Sequence, residues 1–206
     1  ARGSTGGGGW SGEVRGGGGG WRGFRGAGGY IRPCGGTVAL PIFLTMFLGG
    51  EYSIRGFDLR SVSPRDPVSG VQVGGNKSLL FNAEYLISIA GPVRLVLFYD
   101  AGQVRDVGQS FVWKEPLTER VQPGSLVPSL VDDVFGTLRN PLMGITPGIQ
   151  SRTIGQASAF KTSTGAEIRF FMPVLNVPFR LIFAYNPQRD GVLDNSLQPQ
   201  KKLQFR

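Results

Sequence analysis

The sequence predicts an all-β protein, an antiparallel transmembrane β-barrel fragment, on three observations. Four segments beyond residue 76 alternate apolar and polar residues with the period of two that a strand requires. They are separated by either short turns or very long loops, the asymmetry that outer-membrane barrels show between their two ends. No run approaches the roughly 18 apolar residues of a membrane helix. The best stretch, Val38 to Leu48, is broken by Pro41 and Thr45. Barrel strands need only alternate, so weak hydropathy does not count against them.

Residues 1–38 form a Gly/Arg-rich low-complexity segment. Seventeen of the 33 glycines lie in the first 36 residues, and Gly6-Gly7-Gly8-Gly9-Trp10 is echoed by Gly16-Gly17-Gly18-Gly19-Gly20-Trp21. Glycine loses the most backbone freedom on ordering, so this stretch is expected to be a disordered tail or an out-of-frame translation of GC-rich DNA. The barrel portion is expected over 39–206. Ala39 to Leu48 reads as a strand and Glu51 to Val73, rich in Gly, Pro and acids, as a loop. In Lys77 to Ile89, Leu79, Phe81, Ala83 and Tyr85 fall on one face, with Ser78, Asn82 and Glu84 on the other. In Val93 to Tyr99, Leu95, Leu97 and Tyr99 oppose Arg94 and Asp100, and a tight turn at Gly91-Pro92 joins the two segments. Gly102 to Gln156 carries five prolines and reads as a long irregular loop over 103–158, with a short helix around Leu130 to Leu138. Alternation then resumes, with Ala166, Ile168 and Phe170 opposite Glu167 and Arg169. After a turn at Pro173 to Pro178, Phe179, Leu181, Phe183 and Tyr185 oppose Arg180, and Leu203 and Phe205 begin a last strand.

The charges at Glu84, Arg94, Asp100, Glu167, Arg169 and Arg180 therefore all fall on the polar face. An arginine or lysine on the lipid face would cost about 2–4 kcal/mol at mid-depth, so a barrel requires this sorting. A soluble antiparallel sandwich sorts its faces too. Aromatic residues at outward strand ends (Tyr85, Tyr99, Phe179, Tyr185) tilt the choice toward a membrane interface.

The net charge of +8 sits unevenly, with five arginines against one acid in the first 36 residues. An Arg/Gly/aromatic segment of this kind also fits a soluble binder of single-stranded nucleic acid, but the remaining charge is spread thinly and no nucleic acid is expected. There is no histidine and one cysteine, Cys34, so histidine catalysis, internal disulfides and thiolate metal clusters are excluded. No cofactor, metal or enzymatic activity is expected. No signal peptide is visible, so an exported protein is expected to start upstream of Ala1.

Three ordered motifs sharpen the reading: Gly49-Gly50-Glu51-Tyr52-Ser53-Ile54-Arg55-Gly56-Phe57, then Gly74-Gly75-Asn76 running into Asn82-Ala83-Glu84-Tyr85, then Leu97-Phe98-Tyr99-Asp100-Ala101-Gly102. Together they resemble the C-terminal barrel of the BamA/TamA-type outer-membrane assembly family, the bacterial surface antigen domain, over roughly residues 39–206. The resemblance implies the last six or so strands of a sixteen-stranded barrel in the bacterial outer membrane. It implies that the loop 50–74 folds into the lumen, with Ile54, Arg55, Gly56 and Phe57 at its tip and Arg55 meeting Glu84 and Asp100 on the wall. A lone Arg-Gly in a glycine-rich loop would otherwise read as an exposed turn. Gly74 and Gly75 are expected to start a strand, where they permit a bend.

The implied function is non-enzymatic insertion of other outer-membrane proteins. The implied partners are outer-membrane lipid, client proteins and, where present, accessory assembly lipoproteins. A two-partner secretion pore shares the loop motif, and a barrel tethered to an enzyme domain is a further alternative. The family's periplasmic repeat domains, earlier strands and terminal aromatic residue lie outside this sequence.

Overall fold

A computed structural model describes residues 3–15, 20–33, 40–65, 71–121, 150–172, 177–196 and 198–206. The strands are β1 (Gly3–Arg15), β2 (Gly20–Pro33), β3 (Lys77–Ala90), β4 (Val93–Arg105), β5 (Lys114–Val121), β6 (Gln150–Ser158), β7 (Lys161–Met172), β8 (Val177–Gln188) and β9 (Leu203–Phe205). Seven of them form one antiparallel sheet in the order β1-β2-β3-β4-β7-β8-β9. The chain divides into two units, one of residues 1–114 and 158–206 that holds this sheet, the other of residues 115–157. Strands β5 and β6 form a separate two-stranded sheet. Among the described residues no helix is long and apolar enough to cross a membrane.

Register aligns the two faces strand by strand. One row runs Asn82, Asp100, Ser163, the next Glu84, Phe98, Gly165, Ala184, and the next Leu86, Val96, Glu167, Ile182. These rows face the loop that follows Leu48. The opposite face carries Phe81, Tyr85, Leu97, Tyr99, Phe179, Leu181, Phe183 and Tyr185, all exposed. Glu167 is fully buried while Phe183 is 50% exposed, the inverse of a water-soluble sandwich. Apolar side chains outward and charges inward make physical sense where the outer solvent is lipid. The fold is thus a section of barrel wall in which, among the described residues, β1 and β9 each have one neighbour.

Several expectations are corrected. The glycine-rich segment, expected as a disordered tail, supplies β1 and β2. A ladder needs only backbone donors and acceptors, which glycine has in full, and β2 pairs with β3 from Gly20↔Ile87 to Tyr30↔Lys77. The bare strand also makes room for bulk, because a Cβ at Gly26 would lie 2.5–2.7 Å from the Trp10 indole. The strand expected over Ala39 to Leu48 is instead, in its described part, a 3-10 turn at Ile42–Leu44 followed by isolated bridges, Met46 to Gly75 and Leu48 to Val62. Pro41 at the turn's start has no N–H for a ladder and a φ of −58° already suited to a turn. Strand β4 runs on to Arg105, and the stretch 102–156, expected to be irregular, contains β5 and part of β6. The helix expected around Leu130 to Leu138 lies outside the described residues. Gly74 and Gly75 precede β3, which begins at Lys77. A Cβ on Gly75 would strike the Arg105 carbonyl and Val104 of β4, so glycine lets the loop base lie against the sheet.

Candidate functional site: the loop arginine and its carboxylates

The loop between Leu48 and Gly75 lies on the polar face because its own sequence closes and turns it. Leu48 and Val62 exchange backbone hydrogen bonds of 3.0 Å, which pins the neck. Gly49, Gly50 and Gly56 take positive φ angles of 103°, 106° and 85°, conformations that L side chains rarely adopt. Between them Gly50 N–H donates to the Phe57 carbonyl at 3.1 Å, so the tip residues 51–56 form a closed turn. Ile54 and Phe57, both fully buried, pack with Leu48, Val62, Leu80, Val104 and Val192. That apolar cluster fastens the tip to the sheet from either side of Arg55.

Arg55 is only 3% exposed. Its Nε and Nη2 donate to Asp100 Oδ2 and Oδ1 at 2.8 and 2.7 Å, a two-pronged clasp, and its backbone N–H donates to the same Oδ2 at 3.0 Å. Its Nη1 donates to Glu84 Oε1 at 2.6 Å and to Glu167 Oε2 at 3.1 Å. The guanidinium carbon lies 4.0 Å from the centre of the Phe98 ring, so the plane is also stacked. Adjacent strands β3, β4 and β7 therefore contribute one acid each. Burial weakens the charge on Arg55, but the Asp100 hydrogen bonds and the nearby negative charges of Asp100 and Glu84 outweigh it. The guanidinium is held more firmly protonated than an ordinary arginine.

Two wall arginines complete the cluster. Arg169 donates to Glu167 Oε1 at 2.7 Å and to Glu84 Oε1 at 3.2 Å, and Arg180 pairs with Glu167. Three cations thus face three anions, and the buried set carries no net charge. Asn82 donates to Asp100 Oδ1 at 2.7 Å and to the Ser53 carbonyl at 2.7 Å, joining the wall acid to the loop backbone. Gly56 fits where no side chain would: a Cβ there would lie 2.5 Å from the Ala184 Cβ and 2.6 Å from Asn186 Oδ1. Its carbonyl accepts from Asn186 at 2.8 Å and Gln200 at 3.0 Å.

The structure thus brings together Ile54, Arg55, Gly56, Phe57, Glu84 and Asp100, while Gly74 and Gly75 sit at the loop base, away from the cluster. Sequence reasoning did not name Glu167, Arg169 and Arg180 as partners of the loop, nor Asn82, Asn186 and Gln200. The alternation already put Glu167, Arg169 and Arg180 on the right face. Strand order, which sets β7 beside β4 across 55 intervening residues, was the missing information.

An antiparallel sheet with an apolar outer face, a charged inner face and a loop arginine clasped to that face defines a section of an outer-membrane β-barrel with an inward-folded loop. The model of the Omp85 superfamily domain matches residues 21–206, and the chain belongs to that superfamily. The match begins well before residue 39 and takes in most of β2. The chain is 37% identical over 84 residues to the outer membrane protein assembly factor BamA of Nitratidesulfovibrio vulgaris, covering 40% of this chain and 11% of that protein. It is 36% identical over 88 residues to the protein of the same name from Neisseria meningitidis serogroup B, covering 39% of this chain and 10% of that one. The chain spans about a tenth of the length of these curated relatives. It is a protein of the bacterial outer membrane.

Proposed function

We propose that this chain is the wall-and-loop section of a barrel that inserts and folds other outer-membrane proteins. Both relatives carry the name of an outer-membrane protein assembly factor. The reading is non-enzymatic, with outer-membrane proteins as clients and accessory assembly lipoproteins as attendants. The observation that carries it is the Arg55 clasp. A loop arginine clasped by acids from three strands fixes an inward-folded segment in a barrel interior, and such a segment can brace a wall whose shape must change during work without coming apart. In this role Arg55, with Glu84 and Asp100, holds the loop inside, Gly56 gives it a tip narrow enough to reach the wall, Phe57 wedges it, and Gly74 and Gly75 give close approach at its base.

The test uses the full-length protein in cells depleted of their own copy. Arg55→Ala should abolish or sharply reduce growth and the level of folded outer-membrane proteins. Arg65→Ala, whose Nη2 reaches the Leu193 carbonyl at 2.8 Å outside the cluster, should be tolerated much better. Equal growth of the two variants at equal protein level would defeat the proposal.

A further inference from the structure

The loop makes a second set of contacts, with residues other than those of the acid cluster. The Asp58 carboxylate pairs through Oδ1 with Nη2 of Arg206, and its Oδ2 accepts from Asn195 N–H at 3.3 Å. The Gly56 carbonyl takes Gln200 Nε2 at 3.0 Å, and Arg65 donates to the Leu193 carbonyl. Val192, 5% exposed, packs in the cluster of Ile54 and Phe57. Every one of these partners lies in residues 192–206, in the connection from β8 to β9 or, for Arg206, directly after β9. The connection is also ordered within itself: Gln200 N–H donates to the Val192 carbonyl at 3.0 Å and Asp194 N–H to the Gln198 carbonyl at 2.7 Å.

Among the described residues β9 pairs with β8 from Phe183↔Phe205 to Tyr185↔Leu203, and the Phe205 ring centre lies 4.8 Å from that of Phe183. Backbone bonds between Ile182 and Arg206, at 2.7 and 3.0 Å, and from Asn186 N–H to the Lys202 carbonyl, at 2.8 Å, extend that ladder. The outward side chains Leu203 and Phe205 are 71% and 63% exposed.

We infer that Asp58 is a positioning residue for the segment 192–206, and that the loop tip sets whether this segment is docked against the loop or free of it. The five residues 54–58 work as a strut with two ends. Arg55 grips β3, β4 and β7 through carboxylates, while Gly56 and Asp58 grip β8 and the segment 192–206. The Asp58 and Arg206 side chains are 22% and 25% exposed, so the pair is partly shielded and is stronger than an open surface pair. Lifting the tip removes both grips together. Breaking Asp58 alone loosens the segment 192–206 and leaves the ladder from β3 to β8 intact. The inference rests on the geometry of the loop and does not depend on what the barrel handles.

Hydrogen–deuterium exchange on the full-length protein in lipid nanodiscs tests it. Asp58→Asn and Arg206→Gln should each raise exchange over residues 192–206 by about tenfold, the low end of the scale for one lost hydrogen bond to a charged group. Residues 77–105 should keep their protection. Asp58→Glu should retain most of the wild-type protection, and the paired reversal Asp58→Arg with Arg206→Asp should recover part of it. Unchanged exchange over 192–206 in both single variants would overturn the inference. So would an equal rise over 77–105, which would mark Asp58 as a general stability residue, or a paired reversal that recovers nothing. If Asp58→Asn does not fold, Arg206→Gln alone decides, because its backbone bonds to Ile182 do not need the side chain.

Discussion

Arg55 is the residue on which two opposing terms meet. Desolvating a guanidinium is expensive, and its four hydrogen bonds to three acids compensate it. Such a set need add little net stability, yet removing one member strands the others in a poorly hydrated site, which typically costs about 3–5 kcal/mol. Arg55→Lys should therefore behave almost like a deletion. One ammonium cannot fork to Asp100 and also reach Glu84 and Glu167, and it stacks poorly on Phe98. Urea titration of the folded barrel, followed by its anomalous electrophoretic mobility, should show that loss, and a change under about 1 kcal/mol would refute the argument.

The acids should rank by burial. Asp100, fully buried and bonded to Arg55 three times as well as to Asn82, should lose more on conversion to Asn than Glu84, 28% exposed, on conversion to Gln. The same titration gives both values, and the reverse order would contradict the geometry. Gly56→Ala should fail for two separable reasons, the φ of 85° and the 2.5 Å approach to the Ala184 Cβ. Pairing it with Ala184→Gly should thus recover only part of the loss.

At the scale of elements, each strand separates two solvents. On β4, Leu97 points outward and is 44% exposed, while Val96 and Phe98 face the loop and are buried. Leu97→Lys should cost about 2–4 kcal/mol in the folded barrel, because the ammonium meets hydrocarbon. Refolding into vesicles at a series of urea concentrations measures it. A neutral outcome would place that face in water. This two-sided pattern was legible from β3, β4, β7 and β8, because period-two sorting is a local property that each strand repeats on its own. The contacts of Arg55 with Glu84 and Asp100 were implied by the family resemblance that the ordered motifs carry. Glu167 was not linked to them, since the pairing of β4 with β7 is non-local and no residue in either strand encodes its partner. The glycine-rich strands misled for the opposite reason. Composition reports the entropy a segment loses on ordering, whereas the bonds β2 makes to β3 become visible only once both are placed. Ala39 to Leu48 misled because its apolar residues suggested a strand, while Pro41 set a turn.

For the whole molecule, the exposed outer face and the two free edges decide what the wall can do by itself. Among the described residues, strands β1 and β9 each present one row of backbone donors and acceptors with no neighbouring strand. In water those groups bond to solvent, but in hydrocarbon each unpaired group costs several kcal/mol, so an open sheet cannot rest in a bilayer core. The outer face makes the opposite demand. Phe81, Leu97, Phe179, Leu181 and Phe183 are exposed together on one side of the sheet, an apolar surface that water does not tolerate in a monomer. The isolated 206-residue segment is thus soluble in neither medium. It should associate in detergent through its edges, and it should fail to acquire the protease-resistant, heat-modifiable state of an inserted barrel when mixed with vesicles. A longer chain that adds a strand at each of these edges should reach that state under the same conditions, with residues 77–105 and 161–186 shielded from protease. Insertion of the isolated segment as a stable, protected monomer would show that its edges close on each other, and the wall would then have to be redrawn as a small complete barrel.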